Sequence, residues 1–227
     1  MNFYHSESVL NRFPTLRTVS LRVWDFDPSL SSHLDAEPHL NSALARLSHS
    51  TEGEWTSIKS WRAAYAQMGY KPTQYRCAAE ALLRRLRQRE GLPALNPVVD
   101  YCNAVSAAFG IPLAAFDLNY VYGDLIVVPA QGSERFETFG GQIEHPNPGE
   151  IIFRDQAHRA HARRWAHRQG AYSAIKASSR QILLVAEALH ESAAMHLEQM
   201  RVTLEQGFGQ CSRRTSPLIA AEDVGLK

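Results

Sequence analysis

Apolar residues recur along this chain with two different periods, and the changes of period mark its elements. Leu16, Val19, Leu21 and Val23 predict a strand over Leu16–Trp24. Over Ser31–Ser48, Leu34, Leu40, Leu44 and Leu47 follow a partly helical pattern among many polar residues. Trp55, Ile58, Trp61, Ala64, Tyr65 and Met68 form the apolar stripe of a helix over Glu54–Met68, capped by Gly69. Lys71-Pro72-Thr73 starts a third helix running to about Gln88, with Ala78, Ala81, Leu82 and Leu86 inward. Val98, Val99, Cys102 and Val105 give one apolar face to a helix after Asn96. Gly110 ends it, with Pro112 just beyond. Asp100 and Asn103 are three apart, so they can share a face. Pro112–Asp117 reads as a short buried strand, apolar until its final carboxylate.

After Gly123 the pattern shifts to short strands. Leu125–Val128 is apolar, Gln131-Gly132-Ser133 reads as a hairpin turn, and Glu134–Phe139 alternates. Gly140-Gly141 is a second turn, and Pro146 and Pro148 stiffen the loop before the strand Ile151–Arg154. Alternation predicts one strand over Ala162–Gln169, with Arg164, Ala166 and Arg168 on one face and Arg163, Trp165 and His167 on the other. Ser173–Ser179 is a loop, Ile182–Ala186 a buried strand, and His190–Gln206 an amphipathic helix. This is the order of an α/β (α+β) chain.

Composition adds limits rather than a function. The chain has 227 residues, enough to bury roughly 70% of its unfolded surface without staples. Its net charge of +1 advertises no general nucleic-acid field, so any such surface is a local patch. No DNA partner is expected. The three cysteines have no metal-ligand spacing, and Cys77 and Cys102 lie on apolar faces as buried thiols. No apolar run reaches the roughly 18 residues of a membrane span. MNFYHSESVL lacks the form of a secretory signal, so the cytoplasm is expected.

Candidate chemistry centres on arginines. Arg76, Arg84, Arg85, Arg87 and Arg89 gather along the third predicted helix. They serve either as a solvated face complementing the helix dipole or as a phosphate-tracking patch for RNA. Arg76 lies four residues before Glu80, as a structural ion pair or as a group pointing into a cleft. The run HRAHARRWAHR at 158–168 holds three histidines, but no carboxylate or cysteine alternates with them and arginines oppose a dication. No metal or other cofactor is expected. GxSxG, Walker A, HExxH, GxGxxG and CxxC motifs do not occur. The residues alone describe an α/β protein whose arginine-lined cleft favours anionic ligands.

The stretch VVDYCNAVSAAFGIPLAAFDLNYVYG carries a resemblance. Val99, Asp100, Asn103, Gly110, Pro112, Leu113, Ala115, Phe116, Asp117, Leu118 and Gly123 fit, without gaps, a helix–Gly–PL-x-AFDL–Gly pattern. This pattern is similar to that of the B3/B4 domain of the bacterial phenylalanyl-tRNA synthetase beta subunit, and looks closest to freestanding proteins of that domain. The resemblance runs from about Phe13 to Gly207. It implies a single domain over 13–209 with a mixed central sheet flanked by helices. Residues 1–12 are then an N-terminal extension, and 210–227 a tail expected to be mobile.

It also implies a reaction: hydrolysis, by a positioned water, of the ester joining tRNA to a wrong amino acid. Such a site needs neither metal nor covalent nucleophile. Two departures bear on the substrate. Where the synthetase strand reads PLHAFD, with its histidine in the editing pocket, this chain has Ala114. Where the synthetase has the glutamate of a GGEHS-like turn, which recognises the tyrosine hydroxyl, alignment of Ser173–Ile175 puts Ala171. Tyrosine on tRNA for phenylalanine is therefore not the expected main substrate.

Freestanding relatives share R-x-W-x-x-RQ, matched by Arg163, Trp165, Arg168 and Gln169, and a basic helix started by Pro-Thr, matched by Lys71, Pro72, Thr73 and Arg76. Arg76, Asn103, Arg168 and Gln169 are expected to hold the ligand, beside Ala114, Asp117 and Ala171. Glu144 and His145, next to a rigid turn, are the expected acid/base or water-orienting groups. Lys71, Arg84, Arg85 and Arg164 are expected to bind tRNA. Asn103 and Asp117 also have plain structural roles open to them, as a helix-to-loop hydrogen bond and a turn cap. Three functions stay open: a trans-editing deacylase, a non-catalytic module binding tRNA or an amino-acid-like ligand, and an enzyme using the same cleft on a different small acyl or amino-acid substrate. A synthetase or other partner could deliver the tRNA.

Overall fold

A computed structural model describes residues 1–88 and 90–217 of the chain. The first strand, β1 (Phe3–His5), precedes α1 (Glu7–Arg12) and β2 (Arg17–Trp24). Four helices follow: α2 (Glu37–Leu47), α3 (Thr56–Gln67), α4 (Ala78–Arg87) and α5 (Pro97–Phe109). The last begins where its sequence dictates. The Asn96 side chain accepts the Val99 amide at 3.0 Å and Pro97 opens the first turn. Gly110 ends it at φ +65°, and a Cβ there would meet the Trp55 ring at 2.7 Å. Next come β3 (Leu113–Asp117), β4 (Leu125–Pro129), β5 (Phe136–Glu137), β6 (Ile143–Glu144), β7 (Ile151–Arg154), β8 (Ala160–Arg163) and β9 (Arg168–Gln169). The described chain closes with β10 (Ile182–Ala188), α6 (Ala193–Gly209) and β11 (Arg214–Pro217).

The strands form a mixed α/β fold with two principal sheets. One, ordered β1-β4-β7-β8-β9, is mixed because β1 joins β4 in parallel. The other, ordered β11-β2-β10-β3, is antiparallel throughout. A small β5-β6 pair completes the set. β10 explains the layering. Its residues are buried on both faces, so it reads as a continuous apolar run rather than an alternation. Leu183 and Val185 point between the two sheets, into a core with Phe116, Phe153, Trp61 and Trp165. Ile182, Leu184 and Ala186 point the other way, against Val98, Val105 and Leu204 of α5 and α6.

The structure departs from the sequence pattern in four places. The predicted third helix starts at Ala78, so Lys71 and Arg76 lie in the segment before it. Arg89, counted in the arginine cluster, and residues 218–227 of the predicted tail lie outside the described residues. The predicted strand over Ala162–Gln169 is a tight hairpin, β8 to β9. Arg164 and Trp165 turn it at φ +46° and +57°, a region costly for bulky residues. Tertiary contacts hold it there: the Trp165 amide donates to Ile151 O at 2.7 Å and Tyr65 Oη to Arg164 O at 2.9 Å. The Gln131-Gly132-Ser133 turn makes no hairpin, since β4 pairs with β7. Both ends of the described chain are woven in, with Phe3 and Val9 buried and residues 214–217 paired along β2.

Candidate functional site

β3 is the outer strand of its sheet, so one edge carries backbone groups that no strand pairs. The β9 end of the hairpin lies over this edge, and Gln169 Nε2 donates to Ala115 O at 2.7 Å. Hollows open on either side of that bond. On the α5 side, a hollow of about 270 Å³ is lined by Asn96, Asn103, Ala115, Phe139, Gln169 and Ile175, among others. The Asn103 side-chain amide has no hydrogen-bond partner among the described residues. On the inter-sheet side, a hollow of about 60 Å³ is lined by Ala114, Phe153, Trp165, His167, Arg168 and Glu187, among others. A wider hollow of about 610 Å³, lined by Asp27, Arg180 and Cys211 among others, shares no lining residue with either. It contains none of the predicted site residues.

An ion network anchors the hairpin. Arg163, 5% exposed, makes a two-pronged contact with buried Glu150, Nε to Oε1 at 2.8 Å and Nη2 to Oε2 at 3.0 Å. Burial pushes the Glu150 carboxyl up, but the hydrogen bonds and charge of Arg163 outweigh it and hold it below its ordinary value. Arg163 Nη1 reaches on to Glu144 at 2.6 Å, and Arg168 meets the same carboxylate at 3.2 Å. Arg168 itself is 43% exposed and borders the smaller hollow.

His167 has the chemistry of a base. Its Nδ1 lies 2.8 Å from the Arg76 carbonyl oxygen. A carbonyl only accepts, so Nδ1 carries the proton and the Nε2 lone pair is left free. Burial lowers the pKa of the ring, and the charges of Arg164 and Arg168 add to this, against the Arg76 hydrogen bond. The neutral imidazole is thus favoured at the mouth of the smaller hollow. Around it, the Tyr75 ring lies edge-on at 5.4 Å and the Arg164 guanidinium sits 4.8 Å from the Tyr75 centroid. Lys71 is exposed nearby in the chain.

With this geometry in hand, comparison with known proteins places the chain. The family model for the B3/4 domain matches residues 60–205, well over half of the chain. The chain belongs to the B3/4 domain family. Curated relatives are beta subunits of phenylalanine–tRNA ligase. That of Shewanella oneidensis is 29% identical over 115 residues, covering 50% of this chain and 14% of that protein. That of Geobacter metallireducens is 40% identical over 75 residues, covering 33% of this chain and 9% of that protein. The chain therefore spans only a small part of the length of these relatives. An N-terminal fragment of the phenylalanyl-tRNA synthetase beta subunit from Pyrococcus horikoshii matches 90% of this chain and 48% of its own, with 8% identity and a TM-score of 0.46.

Within this B3/4 domain the predicted residues separate into groups. Asn103, Ala114, Arg168 and Gln169 come together at the β3 edge, on different sides of the strand. Asp117 is a buried turn cap, accepting the Asn119 amide at 3.0 Å and the Ser179 hydroxyl at 2.6 Å. Ala171 donates its amide to Glu137 O and borders neither hollow. Arg76 forms an ion pair with Glu80 at 3.4 Å, while its carbonyl serves His167. Glu144 is engaged by Arg163 and Arg168, and the exposed His145 holds Glu134 O through Nδ1 at 2.9 Å. Neither borders a hollow at β3. Arg84 shares buried Glu52 with Arg87, and Arg85 pairs with Glu90.

Two polar residues that line the smaller hollow were missed by sequence reasoning, His167 and Glu187. His167 stood out only as one of three histidines weighed as metal ligands. Among the described residues no group of three or more His, Cys, Asp or Glu is placed to hold a metal, and no helix is long and apolar enough to cross a membrane. For Glu187 a signal existed: a lone carboxylate in the apolar run Ile182–Ala188.

Proposed function

We propose that this B3/4 domain is a trans-editing deacylase that hydrolyses the ester of mischarged aminoacyl-tRNA. The observation that carries this reading is the tautomer of His167, whose Nε2 lone pair is left free at the mouth of a hollow beside an exposed guanidinium. In the proposed reaction a water is held at Nε2 and attacks the ester carbonyl. Its proton passes to Nε2 as the new C–O bond forms. Arg168 stabilises the charge that grows on the carbonyl oxygen. The C–O bond to the ribose then breaks, and the proton on Nε2 goes to the departing ribose oxygen. Asn103 and Gln169 supply amide donors that orient the substrate across the β3 edge. In this reading Glu144 holds Arg168 in place, and takes the role of anchor instead of base.

The kinship with phenylalanine–tRNA ligase beta subunits supports a tRNA substrate. Arg168 at the hollow, Arg164 over the Tyr75 ring, and exposed Lys71, whose carbonyl accepts the Tyr75 amide, offer cations for phosphates. Arg84, occupied with Glu52, and Arg85, paired with Glu90, are left out of that group. A synthetase partner that brings the tRNA fits the same kinship. The apolar character of Ala114 beside the cleft favours a second reading, a module that binds an aminoacyl ligand without turnover.

The test is a deacylation screen of correctly and incorrectly charged tRNAs with wild-type protein and the variants His167→Gln and Arg168→Ala. The deacylase reading expects rapid release from a narrow mischarged subset, lost in both variants. Release at only the spontaneous rate for every member overturns it. Binding of the same tRNAs without turnover then selects the module.

A further inference from the structure

We infer that Glu187 makes the smaller hollow a pocket for a short, hydroxyl-bearing side chain of the aminoacyl group. The inference rests on the deacylase reading for its substrate and on the structure for its selectivity. The register of β10 fixes the direction of Glu187: it shares the inter-sheet face with Leu183 and Val185, both in the apolar core between the sheets. A carboxylate there, 3% exposed, is costly unless something uses it.

The protein uses part of it. Trp165 Nε1 lies 3.0 Å from both Glu187 oxygens, and His5 Nε2 lies 2.5 Å from Oε1. A carboxylate accepts at about four positions. Oε1 has two partners, while Oε2 has only the contact it shares with Oε1. Acceptor capacity thus remains on a group that lines an otherwise mostly apolar hollow, walled by Leu113, Ala114, Phe153, Ala162 and Val185.

Size sets the second limit. The hollow measures about 60 Å³. That exceeds the roughly 10–15 Å³ that holds one water and falls well short of the roughly 150 Å³ of an apolar cavity that takes up benzene. A methyl and a hydroxyl fit; an aromatic ring does not. The apolar walls accept the carbon atoms, and the spare acceptor of Glu187 takes the O–H. A site built to bond a hydroxyl rejects the isostere that lacks it far more strongly than an apolar pocket rejects an added methyl. Threonyl and seryl groups therefore match the hollow, valyl fits in shape but leaves Glu187 unmet, and phenylalanyl is too large.

The test loads seryl, threonyl, alanyl, valyl and phenylalanyl groups onto one and the same tRNA and compares kcat/KM. Wild-type protein is expected to prefer threonyl over valyl by about 100-fold or more. Glu187→Gln should bring the two within about tenfold, and Ala114→Leu, which fills the hollow without touching Glu187, should abolish hydrolysis of both seryl and threonyl esters. Equal handling of threonyl and valyl, or of seryl and alanyl, overturns the pocket while leaving the deacylase reading intact. Efficient hydrolysis of the phenylalanyl ester does the same. If no charged tRNA is hydrolysed, the deacylase reading fails, and titration with 3′-aminoacylamino-adenosines decides the pocket. Tighter binding of the threonyl than the valyl analogue, equalised by Glu187→Gln, supports it; equal binding overturns it. Should Glu187→Gln not fold, the wild-type threonyl-to-valyl ratio and Ala114→Leu decide.

Discussion

Gln169 Nε2 donates to the carbonyl oxygen of Ala115 at 2.7 Å, and this bond ties the edge of one sheet to the last strand of the other. It lies between the two hollows, both of which Gln169 lines. Gln169→Leu keeps the bulk and removes the donor. One hydrogen bond of this kind contributes about 1 kcal/mol. The expected outcome is a melting temperature lower by about 2–4 °C and a turnover reduced by about tenfold or more, since the cleft loses its divider. Thermal unfolding and deacylation assays on the same preparation check it. Unchanged turnover would show that the clamp does not shape the site.

His167 predicts a pH profile. Its folded pKa is held below the ordinary value of about 6.5, first by burial, so the neutral base form predominates at pH 7. Activity should fall only as pH drops through that lowered value. The acid limb should be missing from the residual activity of His167→Gln and persist in Glu144→Gln. The linkage has a definite sign: between the lowered pKa and about 6.5 the unfolded chain binds more protons, so stability rises with pH there and is lost on acidification. A limb that disappears in Glu144→Gln instead returns the base to Glu144.

The Arg163–Glu150 pair predicts a contrast in stability. Both side chains are nearly buried, and Arg163→Met strands a carboxylate that burial alone would push up. A loss of about 3–5 kcal/mol is expected, with a large part recovered when Glu150 is replaced by Met as well. Arg168→Ala removes an exposed partner of Glu144 and should cost under about 1 kcal/mol while still suppressing activity. Urea denaturation of the variants separates the two arginines.

The thiols should be inert. Burial pushes Cys77 and Cys102 each up to about 12, and Cys211 is also raised and buried. Iodoacetamide at pH 8 should modify none of the three in the folded protein and all three in denaturant. Rapid labelling of Cys77 or Cys102 under native conditions would contradict their burial.

The sequence by itself determined the elements whose signals are local. The Asn96 cap, the apolar face of α5, the stop at Gly110 and the run Leu113–Asp117 stand in the structure as their spacing predicts, because propensity, capping and burial all agree there. The kinship with the B3/4 domain was legible in the same stretch. Asn103, Ala114, Arg168 and Gln169, expected from the sequence to hold a ligand, are brought by the fold to one strand edge.

Tertiary structure alone decided the rest. Alternation over Ala162–Gln169 reads as one strand, since a positive φ at Arg164 and Trp165 leaves no mark in residue types that avoid it. The turn exists because Tyr65, Ile151 and Glu187, all distant in the chain, hold it. His167 and Glu187 became candidates for the same reason. What distinguishes them is the Arg76 carbonyl beside one ring nitrogen and an apolar hollow beside a carboxylate, and both neighbours are supplied by packing rather than by sequence.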